Sequence, residues 1–331
     1  MPDDVLFANA YLGARPVVDA LDRGADVVVT GRVADASLFL APLVHEFGWA
    51  WDDWDRLAAG VTAGHLLECS GQVAGGNYSG PWWDDPDPLR IPFPIGECEP
   101  DGSLVVTKPD GTGGMVTFDT VRQQLLYEVH DPAAYLNPDV TVDLTTVTLD
   151  DLGDDHVRVS GATGAPPPDT YKALVCTPAG WSGEVRLAYS WPDAEAKARA
   201  AMDYVRGRAG IDGLEVAEWH EELFGVDAYG GPTVDRPEPG TCEPPEVIGR
   251  LAWRCRDRDT AERVGRSAGV LVLSGPPAMS NPGRTRDTRA SQLLAVESVA
   301  VPRPPGRRAG RRRRGVGVVS RRDRVGGRWP W

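Results

Sequence analysis

The sequence lacks several features that define common classes of protein. Its five cysteines are widely spaced and form no Cys-x-x-Cys pair, so neither a disulfide framework nor a structural zinc site is predicted. No apolar run approaches the roughly 18 residues of a membrane span, and no basic-then-apolar start indicates a signal peptide. We therefore expect a cytoplasmic protein outside the membrane, with no metal and no other cofactor.

The sequence also lacks the motifs of several large enzyme classes. There is no Gly-x-Ser-x-Gly elbow, no His-Glu-x-x-His zinc motif, no Gly-x-Gly-x-x-Gly fingerprint and no P-loop. These absences count against α/β-hydrolases, zinc proteases, dinucleotide-dependent enzymes and P-loop nucleotide hydrolases.

Positive charge is scarce except at the C-terminal end. The net charge is −13, and residues 301–331 hold 11 arginines and one acid, which is +10 and leaves −13 − 10 = −23 for residues 1–300. We expect the acidic part to repel nucleic acid, so nucleic acid is not an expected partner. Residues 304–331 are predicted to be an Arg-rich disordered tail.

The order of short apolar runs and amphipathic segments predicts an α/β fold. A valine run, "ADVVVTG", reads as a buried strand, and helices are predicted from about Ala34 to Phe47 and from about Asp52 to Leu67. The first part, residues 1–130, should form a mainly parallel sheet flanked by helices. Residues 131–303 should form an α+β part packed against it.

One short stretch, "AGHLLECSGQVAGGN", combines a histidine, a glutamate and a cysteine. In a helix His65, Glu68 and Cys69 stand at i, i+3 and i+4 and share one face. Three interpretations are open: a hydrogen-bonded polar helix end, a catalytic pair, or a metal site that lacks a third ligand. Cys69 is expected to pack as a small buried side chain rather than to act as a nucleophile.

Two further groups of residues follow predicted strands or glycine turns. "TGRVADAS" follows the valine strand, so Arg32 and Asp35 could face a pocket with Asn9 from the preceding strand, although Asp35 could equally cap a helix. "VAGGN" and "PDGTGGM" are glycine loops whose backbone could approach a ligand. Lys108 precedes the second loop and is one of only three lysines.

Four long segments in order resemble the acyclic terpene utilisation AtuA-like family. The resemblance covers residues 5–175 and continues more weakly to about residue 303. The segments are "NAYLGARPVVDALDRGADVVVTGRVADASLFLAPLVHEFGW", "AGHLLECSGQVAGGN", "VVTKPDGTGGMVTFDTVRQQLLYEVHDPAAYLNPDV" and "VRVSGATGAPPPDTYK". The resemblance implies a cytoplasmic protein of terpenoid catabolism, in which branched acids are degraded as coenzyme A thioesters. Because the glycine-rich opening segment of the family is missing, the chain is expected to be a truncated member.

These observations lead to one main hypothesis, an enzyme or enzyme remnant that acts on a branched acyl-CoA thioester. The candidate catalytic residues are His65, Glu68 and Asp35. The candidate substrate-binding residues are Asn9, Arg32, Gly75, Gly76, Asn77 and Lys108, with Gly75–Asn77 as an amide cradle for an oxyanion. The alternative is a non-catalytic subunit that organises partner enzymes of the pathway. Partner enzymes or a homo-oligomer are therefore also expected.

Overall fold

The computed structural model of the chain describes residues 4–229, 243–280, 289–303 and 317–319. The chain forms two compact units. The large unit comprises Asn9–Leu174 and the described residues from Ser298 onward, and the small unit comprises Val175–Glu297 with the residues up to Ala8. The division predicted at residue 130 falls inside the large unit, because valines of residues 140–159 belong to the same apolar core as the preceding helices.

The described residues form seven α-helices, of which the second and third begin and end close to the predicted positions. They are α1 Arg15–Leu21, α2 Asp35–Phe47, α3 Trp54–Leu67, α4 Phe118–Leu126, α5 Ala194–Ile211, α6 Arg258–Ser267 and α7 Leu271–Ser274. Side chains cap three of them: Asp53 accepts a hydrogen bond from Arg56 N at the start of α3, and Thr117 and Asp257 do the same for α4 and α6.

The strands are short except in the small unit. They are β1 Phe7–Ala10, β2 Val27–Val29, β3 Ile95–Cys98, β4 Leu104–Thr107, β5 Tyr135–Leu136, β6 Thr141–Asp143, β7 Thr148–Gly153, β8 His156–Ser160, β9 Thr163–Ala165, β10 Thr170–Ser190, β11 Glu218–Phe224, β12 Glu246–Cys255, β13 Met279–Ser280, β14 Ser291–Pro302 and β15 Gly317–Val319. The sheets have the orders β1-β10-β12-β11 (with β13 and β14 also on β10), β3-β4-β8-β7, β5-β6-β9 and β2-β15.

The prediction of a mainly parallel sheet is wrong, since the paired strands are antiparallel. The strand–helix–strand order of the first part does align two segments in parallel. They meet only at an isolated bridge between Leu12 and Val33, just beyond β1 and β2. The order of elements was therefore a sound basis for predicting helices but not for predicting how strands pair.

The valine strand was also predicted to be buried, and this is wrong. Val27 and Val29 of β2 are 57% and 66% exposed, and the described partner of β2 is β15, which pairs with it antiparallel. The prediction of a disordered tail falls on residues that lie outside the described part of the chain, apart from the backbone of β15.

The central element of the large unit is α3. It packs against α2, α4, β6 and β9, and residues 57–66 of α3 are almost all buried. Each fully buried leucine of such a helix contributes about 1.5–3 kcal/mol to folding. The closest approach to α2 is at Gly64, where an added Cβ would lie 2.3 Å from the carbonyl oxygen of Ala36. Two helices can come this close only where one of them has no side chain.

A buried carboxylate joins the starts of α1 and α2. Asp139 accepts hydrogen bonds from the backbone N–H of Ala14, at 2.9 and 3.0 Å, and from the hydroxyl of Ser37, at 2.6 Å. Burial raises the pKa of Asp139, and these hydrogen bonds together with nearby arginines only partly offset that increase. Asp139 therefore positions the first turns of both helices from a site that disfavours its charge.

The small unit has a core of its own. Buried residues alternate along β12 and face α5 and α6, with Val247, Leu251 and Trp253 on that face. The opposite face carries charged side chains, among which Arg250 pairs with Glu184 and Glu222 at 2.7 and 2.8 Å. The longest of the described strands, β10, contains both "TYKALVCT" and "SGEVRLAYS".

We predict that Gly64→Ala destabilises the protein, because the new methyl group would push α2 away from α3. The free energy of unfolding in urea should fall by about 1–3 kcal/mol or more. Gly207→Ala is the matched control, since Gly207 lies on an open face of α5 with nothing within 4 Å of an added Cβ. That variant should gain about 0.5–1 kcal/mol. A Gly64→Ala protein as stable as the wild type would contradict the account of this contact.

We also predict that the effect of Asp139→Asn on stability depends on pH. Wild type should have the larger free energy of unfolding at low pH, and the difference should shrink as the pH rises above 3.8, the ordinary pKa of this carboxyl group. A carboxyl group with a raised pKa in the folded state stabilises the fold most when it is protonated, and this contribution is lost as the pH rises through the raised value. Urea unfolding of both proteins across this pH range measures the difference.

A control with the opposite sign is available at the hairpin between β3 and β4. The backbone and hydroxyl of Ser103 lower the pKa of Asp101 by hydrogen bonding. The advantage of wild type over Asp101→Asn should therefore be present above pH 3.8 and be lost below it. If the Asp139→Asn and Asp101→Asn comparisons showed the same pH trend, the raised pKa of Asp139 would be refuted.

Candidate functional site

The candidate site lies where α3 ends, as predicted for His65 and Glu68. Glu68 is the residue at which α3 ends, and Oε1 of Glu68 lies 3.2 Å from Nδ1 of His65. His65 is only 2% exposed, whereas the Glu68 side chain is 14% exposed. The pair therefore runs from the core towards the surface.

One polar side-chain atom of His65 and one of Glu68 form no hydrogen bond within the described part of the chain. Nε2 of His65 and Oε2 of Glu68 are buried and have no hydrogen-bond partner among the described residues. Such a group loses about 1–3 kcal/mol of hydration without compensation, so proteins retain few of them. The interpretation of His65 as a hydrogen-bonded helix end explains Nδ1 but leaves Nε2 unexplained.

A glutamine from α4 fixes the end of α3. Gln124 is completely buried, and Nε2 of its side chain donates to the backbone carbonyl of His65 at 2.9 Å. The same side chain forms a hydrogen bond with Cys69. Sequence reasoning missed Gln124, although it lies among the apolar residues Val121 and Leu125 on the buried face of α4. A polar side chain on an apolar helix face was the available signal.

Tyr135 is a second residue that the sequence did not indicate. Its ring lies against the His65 ring, with 5.2 Å between the centroids and 49° between the planes. Burial raises the pKa of the Tyr135 phenol, and the charges of Glu68, Asp35 and Glu128 raise it further. Three carboxylates therefore act on one phenol beside His65.

The surroundings of Cys69 disfavour the thiolate form of its side chain. Cys69 is half-buried rather than fully buried, and burial is the main reason why the pKa of its thiol is raised. The hydrogen bond from Gln124 lowers this pKa, and the charge of Glu68 raises it. A protonated thiol is a poor nucleophile, so these contacts do not activate Cys69.

The structure also has an open groove of about 890 Å³, whose lining includes Glu128 but not His65, Glu68 or Tyr135. It lies between residues 77–81 and the last turn of α4, and Tyr78, Leu126 and Tyr127 contribute much of its apolar surface. Asn77 lines the groove, and its carbonyl accepts a hydrogen bond from Gln123 at 3.0 Å. Successive residues of α4 thus face the groove and the buried cluster.

The glycine turn does not offer the amide cradle that was expected of it. The N–H of Gly75 donates to the carbonyl of Gln72 at 3.1 Å, and the N–H of Gly76 donates to that of Gly71 at 2.9 Å. Both amides therefore close the turn itself. The positive φ of Gly75, 101°, shows why glycine is needed there.

The remaining candidate residues lie in different surroundings. Lys108 pairs with Asp155 at 3.1 Å and donates to the carbonyl of Thr112, so it fastens the second glycine loop. The guanidinium of Arg32 lies over the ring of Tyr11, with 5.1 Å to the centroid. Asn9 is exposed on β1. Asp35 begins α2, and its charge reaches Tyr135 and Cys69.

We predict that alkylation of Cys69 by iodoacetamide has its pH midpoint above 9.0, the ordinary pKa of a cysteine thiol, because burial disfavours the thiolate. Mass spectrometry of the Cys69 peptide after timed labelling measures the rate. A synthetic peptide of residues 66–72 supplies the unperturbed reference. A midpoint at or below that of the peptide would contradict the geometry described for the thiol.

No group of three or more His, Cys, Asp or Glu side chains within the described ranges is arranged to hold a metal ion. No described helix is long and apolar enough to cross a membrane.

Comparison with known proteins gives a single result. No curated protein and no solved structure matches the chain significantly. The family model described as "Acyclic terpene utilisation family protein AtuA" matches residues 1–305. Since this match covers most of the sequence, the chain belongs to the acyclic terpene utilisation AtuA family.

Proposed function

We propose that this chain is an enzyme of acyclic terpene utilisation that transfers a proton on a branched acyl thioester. His65 would be the general base, and Glu68 would orient its ring. Family membership supports the pathway. The thioester substrate is the part of the proposal that the family resemblance suggested from the sequence.

The observation that carries the proposal is the buried, unpartnered Nε2 of His65. An ionised carboxylate only accepts hydrogen bonds, so the contact with Glu68 requires the proton of a neutral ring to be on Nδ1. Nε2 then carries the lone pair and can accept a proton from a ligand. A ring held on one side by a carboxylate, with its other nitrogen free, has the arrangement of a general base.

The chemistry that fits these groups is proton abstraction next to a carbonyl. Nε2 of His65 takes a proton from the carbon beside the thioester carbonyl, and the electron pair of that C–H bond moves to the carbonyl oxygen. The resulting enolate is reprotonated by His65 at the same carbon or, in a conjugated chain, at a more distant one. The first outcome is exchange and the second is a shift of a double bond, and neither needs another reactant.

The neighbouring residues have supporting roles in this proposal. The carboxylate of Glu68 lies 3.2 Å from Nδ1 and would keep its contact with the ring after His65 has taken the proton. The groove that includes Asn77 would hold the branched chain, since its volume of about 890 Å³ lies in the range of small-molecule sites. The proposal assigns no ligand contact to Lys108 or to the amides of Gly75 and Gly76.

A non-catalytic subunit is the second candidate function. The exposed valines of β2, Val27 and Val29, favour it, because apolar side chains on an exposed strand are suited to contact with another protein. The unpartnered atoms of His65 and Glu68 favour the enzyme, since a scaffold has no use for them.

The test is incorporation of solvent deuterium into the coenzyme A thioester of a branched acid that has a saturated CH2 group beside the carbonyl, followed by mass spectrometry. We predict that His65→Gln lowers the exchange rate by about 100-fold or more, because general-base catalysis typically contributes that much. Glu68→Gln should lower it less, because the ring remains but loses its orientation.

The chain contains a matched control for this experiment. His45 forms a similar pair on the surface, with Nδ1 of the ring 2.6 Å from Asp22. His45→Gln should leave the exchange rate unchanged. A folded His65→Gln protein that exchanges at the wild-type rate would refute the proposed base, and so would a wild-type protein that exchanges no deuterium into the thioester.

A further inference from the structure

Tyr135 occupies a fixed position beside the proposed base. It follows a short helical turn, Pro132–Ala134, and begins β5, where its backbone pairs with Val142 of β6. Its ring contacts the ring of His65, and the residue is only partly exposed. The hydroxyl therefore belongs to a side chain that both the sheet and the histidine hold in place.

The surroundings of Tyr135 favour an O–H group over a phenolate. Glu68 comes from the end of α3, Asp35 from the start of α2 and Glu128 from just beyond α4, and all three charges act in the same direction. Glu128 adopts a positive φ of 60°, which is uncommon for a residue with a side chain. Across the physiological range Tyr135 thus remains a hydrogen-bond donor.

The proposed reaction needs such a donor. An enolate oxygen that forms near three carboxylates is destabilised unless a donor contacts it, and His65 supplies its positive charge only after the proton has moved. Three of the donors expected from the sequence are committed elsewhere, because Gly75 and Gly76 close their own turn and Lys108 pairs with Asp155. Tyr135 is the donor-bearing side chain that contacts the His65 ring.

We propose that the Tyr135 hydroxyl donates a hydrogen bond to the carbonyl oxygen of the bound thioester and is a catalytic residue of this site. This inference rests on the proposed function. The hydroxyl proton stays on the tyrosine oxygen throughout, so Tyr135 forms and breaks no covalent bond. The hydrogen bond strengthens as negative charge develops on the carbonyl oxygen, which lowers the barrier to proton removal by His65.

Tyr135→Phe is the appropriate variant, because it keeps the ring against His65 and removes only the hydroxyl. Deuterium exchange into the thioester should fall by about 100-fold in kcat, as is typical when one donor to a developing oxyanion is lost, and KM should rise by about tenfold because the hydrogen bond to the bound thioester is also lost. Tyr171→Phe is the control, since the Tyr171 ring packs under Arg303 at 4.5 Å, and it should exchange at the wild-type rate.

A binding measurement tests the same contact without catalysis. Calorimetry would compare the thioester with a thioether analogue, in which a methylene group replaces the carbonyl. Wild type should bind the thioester about tenfold more tightly, which is the value of one modest hydrogen bond. In Tyr135→Phe the two ligands should bind equally. A role in packing alone would leave this ratio unchanged.

The outcomes separate this inference from the proposed function. If His65→Gln abolishes exchange but Tyr135→Phe retains both the rate and the affinity ratio of wild type, the role of Tyr135 is refuted and the base stands. If His65→Gln still exchanges but Tyr135→Phe loses the affinity ratio, the base is refuted and the carbonyl contact stands. If wild type does not distinguish the thioester from the thioether, the role of Tyr135 is refuted.

Discussion

The close contact between α2 and α3 determines the arrangement of the large unit. At Gly64 the two helices approach so closely that an added Cβ would overlap the backbone of Ala36. Ala36 follows Asp35 at the start of α2, and Gly64 precedes His65 in the last turn of α3. The contact therefore brings the start of α2 next to the end of α3. His65, the residue after Gly64, is only 2% exposed. The polar cluster depends on this geometry.

Burial of His65 and Glu68 costs folding free energy that packing alone does not explain. Nε2 of His65 and Oε2 of Glu68 lack partners within the described residues, and the fold gives up about 1–3 kcal/mol for each. The hydrogen bonds of Asp139 join α1 to α2, and Nε2 of Gln124 joins α4 to α3 although Oε1 of Gln124 is also without a partner among the described residues. The large unit thus contains two kinds of buried polar group. One kind joins helices through hydrogen bonds, and the other, Nε2 of His65 and Oε2 of Glu68, has no hydrogen-bond partner among the described residues.

The sequence predicted local structure better than it predicted contacts. The helices and the position of His65 and Glu68 at a helix end followed from spacing and capping residues. Strand pairing did not follow, because β1 and β2 are too short to define a parallel sheet and meet only at the bridge between Leu12 and Val33. Tyr135 and Glu128 reach the cluster through tertiary folding, and no local pattern marks them. Gln124 could have been found as a polar residue on an apolar helix face.

The central claim is that Nε2 of His65 faces the reacting carbon of an acyl thioester. A crystal structure of the protein with the coenzyme A thioester of a saturated branched acid tests this most directly, because that ligand has no double bond to shift. The account predicts that the carbon beside the thioester carbonyl lies within about 3.5 Å of Nε2, which is the spacing of groups about to react. A thioester bound away from α3, with Nε2 of His65 in contact only with the protein, would contradict it.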